Sequence, residues 1–377
     1  MTFVNSLNQQ KSLRLLAILT TQIVTLPLYL LGYFFSKKEN IWVFGNHLGD
    51  KDNSFYLFQY IREHSPEINA IWISKQDKHI SKRLQHSYYY LSIKGIYYQY
   101  RAAVSVHTTG LGDFAKFTGA KKFRVQLWHG VPIKKIMLDS PETLPFSKHG
   151  GILSGLILRF AQRQIKETYD LTVASSEYVQ EVLIKAFNQN RYQVVVTGYP
   201  RQDIISANCK EKNDIQSILY APTWRSNNKQ LLEIIEGGIS AIKHNLTQEH
   251  YRITISLHTL NSSLYARLKN LENITLYEGK DINRDLGDFD LLITDYSSIA
   301  LDFLPLKRDI LFYTPDFEQY SVERGIYHEF QQLIKNRQIV EINNDSPIDI
   351  ERYFKFNDQK ACERITKAII NSRSTQL

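Results

Sequence analysis

Leu291-Leu292-Ile293-Thr294-Asp295-Tyr296-Ser297-Ser298-Ile299-Ala300-Leu301-Asp302 is an apolar run that stops at a polar Thr-Asp-Tyr-Ser-Ser segment and resumes with helical spacing. The order reads as buried strand, polar turn and helix, the building unit of an α/β sheet. A helix that opens on small hydroxyl residues offers backbone N–H groups, hydroxyl donors and the positive end of its dipole to a phosphate. The same residues also serve as ordinary N-caps, and the local pattern leaves both readings open.

Working outward, similar apolar runs recur between helical stretches. They are Ile41–Gly45, Asn69–Ser74, Ala103–Thr108, Phe123–Gly130, Leu171–Ser175 and Gln193–Tyr199, then Ser217–Thr223, Arg252–His258, Ile274–Gly279, Leu291–Tyr296 and Asp309–Thr314. Mostly apolar strands buried on both faces and alternating with helices predict parallel sheets in an α/β architecture, and the two series predict two such sheets. Tyr199–Asn213 carries Pro200 and charge without a sustained apolar period, so it reads as the linker, with the boundary near residue 210. In open α/β sheets ligands gather beyond the carboxyl ends of the strands. Trp128-His129-Gly130, Thr197-Gly198-Tyr199, Pro222-Thr223-Trp224-Arg225, His258 and Thr294–Ser298 all fall at those ends, which places the expected active site in the cleft between two domains.

A chain of 377 residues exceeds the usual single-core limit, in keeping with two domains. Its only cysteines, Cys209 and Cys362, lie far apart and outside any Cys-x-x-Cys or Cys/His cluster, which argues against a disulfide framework or structural zinc. A formal net charge of +8 is spread along the chain. Such a surface favours an anionic membrane, a phosphorylated substrate or both. Nothing in the sequence has the spacing of a zinc finger, an RNP-like motif or a basic recognition helix, so no nucleic-acid partner is expected.

Leu13–Phe35 is apolar except for Arg14, Gln22 and scattered threonines, and Lys11, Arg14, Lys37 and Lys38 bracket it. Its length can just cross a hydrocarbon core, but Arg14, Gln22, Pro27 and Gly32 interrupt it, and a membrane-surface helix fits equally. A buried helix of the first domain is the third reading. No Ala-x-Ala type cleavage site follows, so it does not read as a removed signal peptide.

Taken together, these blocks resemble the CDP-glycerol glycerophosphotransferase family, the teichoic-acid and capsule primases and polymerases. The resemblance runs from about Ile41 to Phe330. It is most specific over Asp281–Phe303 (DINRDLGDFDLLITDYSSIALDF), continued by Pro315–Tyr320 and Arg324-Gly325. LWHGVPIKKI (Leu127–Ile136), VTGYPRQD (Val196–Asp203) and YAPTWR (Tyr220–Arg225) add to it, and KDNSFYLFQYI (Lys51–Ile61) matches more loosely. The resemblance implies a GT-B-like fold of two Rossmann-like domains facing a cleft. Residues 1–38 would then form a membrane-associating segment, 39–208 the acceptor-side domain and 209–377 the CDP-donor-binding domain.

Moving glycerol phosphate from a CDP donor requires an acceptor hydroxyl to attack the distal phosphorus while CMP departs. The site therefore needs a base, cationic support and donors for the phosphates. By resemblance His129 is the general base and His258 stands beside the donor pyrophosphate. Arg225, Thr294, Ser297 and Ser298 are expected at the donor phosphates, with Asp295 and Thr223 orienting that turn. Asn53, Lys134 and Lys135 are expected on the acceptor side. Asp295 has no Asp-x-Asp or carboxylate companions, so neither a protein-held metal nor a cofactor is expected beyond CDP-glycerol as donor substrate. The other expected partners are a lipid-linked or polysaccharide acceptor and an anionic membrane, at the cytoplasmic face of the cell membrane. The alternatives are a CDP-ribitol-dependent enzyme, a GT-B nucleotide-sugar glycosyltransferase and a non-catalytic polyanion-binding membrane protein.

Overall fold

The computed structural model describes residues 25–140, 168–209, 216–245, 251–269, 271, 273–339 and 348–375. The chain divides into two compact units, Met1–Trp128 and His129–Leu377. In the first, β1 (Lys38–Gly45), β2 (Asn69–Ser74), β3 (Ser87–Tyr89), β4 (Ala102–His107) and β5 (Phe123–Gln126) pair in parallel in the order β3-β2-β1-β4-β5. β1 lies between two neighbours, and Ile41, Trp42, Val43 and Phe44 are all buried, which is why its sequence is continuously apolar and does not alternate. Ile41, Val43, Ile71, Ile73, Ala102 and Phe114 pack together. Phe55 and Phe58 of the helix Asp52–His64 add to the core, Phe55 meeting Trp72 edge-on at 5.0 Å. Each such buried side chain contributes about 1.5–3 kcal/mol through area removed from water.

In the second unit β6 (Leu171–Ala174) and β7 (Val194–Val196) form a parallel pair. β8 (Gln216–Ala221), β9 (Tyr251–Ile255), β10 (Ile274–Leu276), β11 (Leu291–Thr294) and β12 (Asp309–Phe312) form a parallel sheet in the order β10-β9-β8-β11-β12. Its core joins Ile218, Tyr220, Ile253, Ile255, Leu291 and Ile293 of the sheet to Leu231, Ile235 and Ile239 of the helix Asn228–Asn245.

Both orders place a reversal beside the first strand. The chain moves outward through β2 and β3, then returns to lay β4 on the other side of β1; β11 does the same beside β8. At such a switch point the loops leaving adjacent strands turn apart and open a crevice at the carboxyl ends.

Several details differ from the sequence reading. The expected linker contains a helix, Pro200–Ala207, because Pro200 stands at its first turn, where a fixed φ and a missing N–H are tolerated. Asp203 on that helix accepts from the amides of Ala361 and Cys362 at 3.1 and 2.9 Å, capping the C-terminal helix Ala361–Ser374. β5 and β9 end at Gln126 and Ile255, so His129 and His258 stand in loops beyond the ladders. β3, inside a run of tyrosines, is too short for its period to be read.

Residues 13–24 of the apolar N-terminal segment lie outside the described residues. Residues 25–31 are helical. The Leu28 carbonyl accepts from the Tyr100 hydroxyl at 2.8 Å, and Phe35 stacks on Tyr100 at 4.8 Å. Among the described residues no helix is long and apolar enough to cross a membrane.

Candidate active site

β8 and β11 are adjacent, with Ala221 opposite Thr294, so the residues just past each strand meet in the switch-point crevice. Asp295 is the hub there. It accepts from the Thr223 amide at 2.8 Å and hydroxyl, the Tyr296 amide at 2.6 Å and Arg225 Nη2 at 3.1 Å. The Thr294 hydroxyl donates to the Ala221 carbonyl at 2.6 Å, so it ties the two strands and is buried away from any ligand.

Arg225 is only 7% exposed. Nε donates to Asp316 at 3.1 Å, Nη1 to the Thr223 carbonyl at 3.0 Å, and Nη2 to both Asp295 and Asp316. The guanidinium lies 5.3 Å from the Tyr296 ring centroid and 4.6 Å from that of Tyr320; the two rings stack at 3.9 Å, and the Tyr296 hydroxyl donates to Asp316. Burial opposes the charge on Arg225, but the two carboxylates hold its pKa above the ordinary value. A guanidinium so enclosed shapes the turn and does not reach out to grip phosphate. Asp316, which completes the cluster, was missed as a site residue. Its signal was its place in the Pro-Asp-Phe-Glu-Gln-Tyr block.

Ser297 and Ser298 are half-buried at the start of the helix Ile299–Phe303. The amides of Ile299, Ala300 and Leu301 turn back onto the Ser297 hydroxyl, the Ser297 carbonyl and the Ser298 carbonyl at 3.4, 3.2 and 3.0 Å. Five residues also make a small dipole, so the two hydroxyls are the main donors this helix start can offer. His258 is exposed, and its carbonyl accepts from the Asn261 amide at 2.8 Å. Asn261, buried, donates Nδ2 to the Arg225 carbonyl at 3.1 Å and so couples the His258 loop to the Asp295 cluster.

His129 is exposed between two residues with positive φ, Trp128 at 58° and Gly130 at 112°. A bulky residue in the left-handed region stores roughly 1–3 kcal/mol of strain and needs outside support. Trp128 has it: its amide donates to Gln126 Oε1 and its carbonyl accepts from Asn53 Nδ2, both at 2.9 Å. Asn53 is fully buried, so its described contact supports the histidine turn. A Cβ at Gly130 would lie 2.8 Å from Arg201 Nη1, and Arg201 forms a buried 2.6 Å ion pair with Asp302. Glycine is thus required both by φ and by space.

Lys134 forms a β-bridge with Ile326, and its Nζ lies 3.2 Å from the Tyr320 hydroxyl. Lys135 is exposed, its amide donating to the Gly325 carbonyl. The structure therefore places Lys134 at the aromatic wall of the Asp295 cluster. Among the described residues no group of three or more His, Cys, Asp or Glu side chains is placed to hold a metal ion.

Parallel sheets in both units, each with a strand-order reversal beside its first strand, define an α/β protein of the doubly wound class. The chain belongs to the CDP-Glycerol:Poly(glycerophosphate) glycerophosphotransferase family, whose sequence profile matches residues 28–371. It is 28% identical over 370 residues to a teichoic acid poly(glycerol phosphate) polymerase of Bacillus spizizenii, covering 88% of this chain and 87% of that protein. It is 27% identical over 363 residues to a teichoic acid glycerol-phosphate transferase of Staphylococcus aureus, covering 84% and 89%. Its fold matches a solved structure of the wall teichoic acid polymerase TagF with a TM-score of 0.69 at 20% identity, covering 95% of this chain and 96% of that one.

Proposed function

We propose that this protein transfers glycerol phosphate from CDP-glycerol to a hydroxyl of a lipid-linked or growing teichoic-acid-type acceptor, releasing CMP. The observation that carries the reading is exposed His129 on a turn that Asn53, Gln126 and the requirement for Gly130 fix in place. His129 takes the proton of the acceptor hydroxyl as its oxygen bonds to the distal phosphorus. The bond from that phosphorus to the bridging oxygen breaks, and its electrons leave with CMP. Ser297 and Ser298 donate to the donor phosphates, and His258 donates to the leaving phosphate. Arg225, Asp295, Thr223 and Asp316 keep the serine turn in shape. On this reading residues 209–377 bind the donor.

Glycerol is favoured over ribitol because the relatives described above are named for glycerol phosphate. The test is incubation with CDP-glycerol or CDP-ribitol and a lipid-linked acceptor, followed by the mass of the phosphodiester product. A glycerol phosphate increment with CMP release is expected; transfer of ribitol phosphate or of a sugar overturns the reading.

Residues 1–38 hold the protein at the cytoplasmic membrane face. Leu26, Leu30, Leu31 and Phe34, exposed just ahead of Lys37 and Lys38, support this, since apolar side chains beside cations suit an anionic bilayer surface. Removal of residues 1–35 should release the protein from vesicles containing anionic lipid; unaltered sedimentation with them overturns the assignment.

A further inference from the structure

Gly130, beside His129, closes onto a pair of charges. A Cβ at Gly130 would lie 2.8 Å from Arg201 Nη1 and 3.5 Å from Asp302 Oδ2, and those two atoms are themselves bonded at 2.6 Å. Without a side chain at this position, the histidine turn packs its backbone against the ion pair. The other member of the pair belongs to a different turn. Asp302 sits in the helix Ile299–Phe303, and its amide donates to the Ser298 carbonyl at 3.2 Å, so its carboxylate is carried one helical turn beyond the serines.

Arg201 comes from a third place. It is the second residue of the helix Pro200–Ala207, whose start is fixed by the Tyr199 amide donating to Gln202 Oε1 at 2.6 Å and whose Asp203 is bonded to the amides of Ala361 and Cys362. One guanidinium on an anchored helix therefore meets both the histidine turn and the serine helix. The Arg201 and Asp302 side chains are 6% and 2% exposed, which keeps water from competing for their bond. A buried pair of this kind adds little net stability over apolar side chains of similar volume, but it tolerates little displacement, because a hydrogen bond weakens steeply as its geometry departs from ideal. Arg225 is the contrast, since its donors go to the turn it belongs to and to Asp295 and Asp316.

We infer that Arg201 and Asp302 are positioning residues: their pair holds the His129 turn at a fixed offset from the Ser297-Ser298 turn, so that the base and the bound donor phosphates are presented to the acceptor hydroxyl together. The inference rests on the roles assigned above to His129 and the serines. A misplacement of about 1 Å at such a site costs on the order of 100-fold in rate. The test uses Arg201→Lys, which keeps the charge but not the planar fork, and Asp302→Asn, which keeps the shape but not the charge, each alone and in a His129→Ala background. Urea unfolding, CDP-glycerol titration and steady-state rates per folded molecule are measured for every variant. Each single variant is expected to lower kcat about 10-fold to 100-fold, with CDP-glycerol affinity and acceptor KM within about threefold of wild type. In the His129→Ala background the same substitutions should cost less than about twofold more, since a residue that acts through His129 then has nothing left to position. A purely structural pair gives another pattern, a lower urea midpoint with kcat per folded molecule unchanged. That pattern, an equal loss with and without His129, or a parallel loss of CDP-glycerol affinity overturns the inference. If Arg201→Lys fails to fold, the isosteric Asp302→Asn decides. A wild-type protein that yields no phosphodiester product removes the assigned reaction and the role of the pair together, whereas wild-type turnover matched by both variants removes the role of the pair alone.

Discussion

Asp113 and Asp295 occupy matching places, each buried and each beyond the strand that crosses back beside the first strand of its sheet. The two carboxylates are completed differently. Asp113 accepts from four backbone amides and a threonine hydroxyl, and through that threonine fixes the imidazole of His47. Asp295 accepts from two amides and a threonine hydroxyl, and its remaining partner is the buried guanidinium of Arg225. In the first crevice, then, the carboxylate rigidifies a loop that leaves an imidazole half exposed. In the second, the guanidinium is enclosed with two carboxylates, while Ser297 and Ser298 are half-buried and His258 is exposed.

The sharpest break should come from the exposed histidine of the second unit. His129→Ala is expected to lower kcat by about 100-fold to 10,000-fold, the range of a lost general base, with CDP-glycerol affinity retained. CMP release near the wild-type rate in the presence of acceptor would remove His129 from the mechanism. The enclosed cation should behave otherwise. Arg225→Ala leaves Asp295 and Asp316 without their shared partner, and the loss of unfolding free energy in urea should be about 3–5 kcal/mol. Arg225→Lys should not restore it, because an ammonium cannot reproduce donors to Asp295, Asp316 and Thr223 together. An Arg225→Ala protein of normal stability but with lost donor affinity would return the residue to a direct grip on phosphate.

In the first unit the enclosed imidazole should appear in the pH dependence of folding. Burial pushes the His107 pKa down to about 4. The unfolded chain takes up a proton on His107 below about pH 6.5, whereas the folded protein resists until about pH 4. The stabilising contribution is therefore complete above about pH 6.5 and declines through that window, by roughly 3 kcal/mol in all. His107→Asn should flatten this part of the stability profile relative to wild type; superimposable profiles would show that His107 is not the titrating group.

The smallest effect belongs to the serines. Ser297→Ala combined with Ser298→Ala should weaken CDP-glycerol binding by about 1–3 kcal/mol, as expected for lost hydrogen bonds to charged phosphate, and leave cytidine binding unchanged. An equal loss for CDP-glycerol, CMP and cytidine would place the damage in the nucleoside pocket or the fold.

Elements were legible where a local period carries them. β1 and β11 are buried on both faces and read as unbroken apolar runs, and their flanking turns were evident from Gly45 and from Thr294 to Ser298. The helix Pro200–Ala207 was not legible, because its apolar period is weak and its position depends on capping a helix far away in sequence. Among site residues, His129 stood out through the glycine beside it. Asn261 and Asp316 did not, since a lone polar residue in a loop carries no local sign of its partner.

The sequence by itself determined the strands, their parallel arrangement and the polar character of the strand ends, because side-chain burial follows the backbone period over a few residues. Only the tertiary structure decided what each polar group is able to do. Arg225 meets Asp295 and Asp316 from 70 and 91 residues away, and His47 meets Thr109 and Asp113 from 62 and 66 away. A guanidinium or an imidazole has only so many hydrogen-bonding positions, and whether any is left for a ligand is settled by chain crossings that no local pattern records.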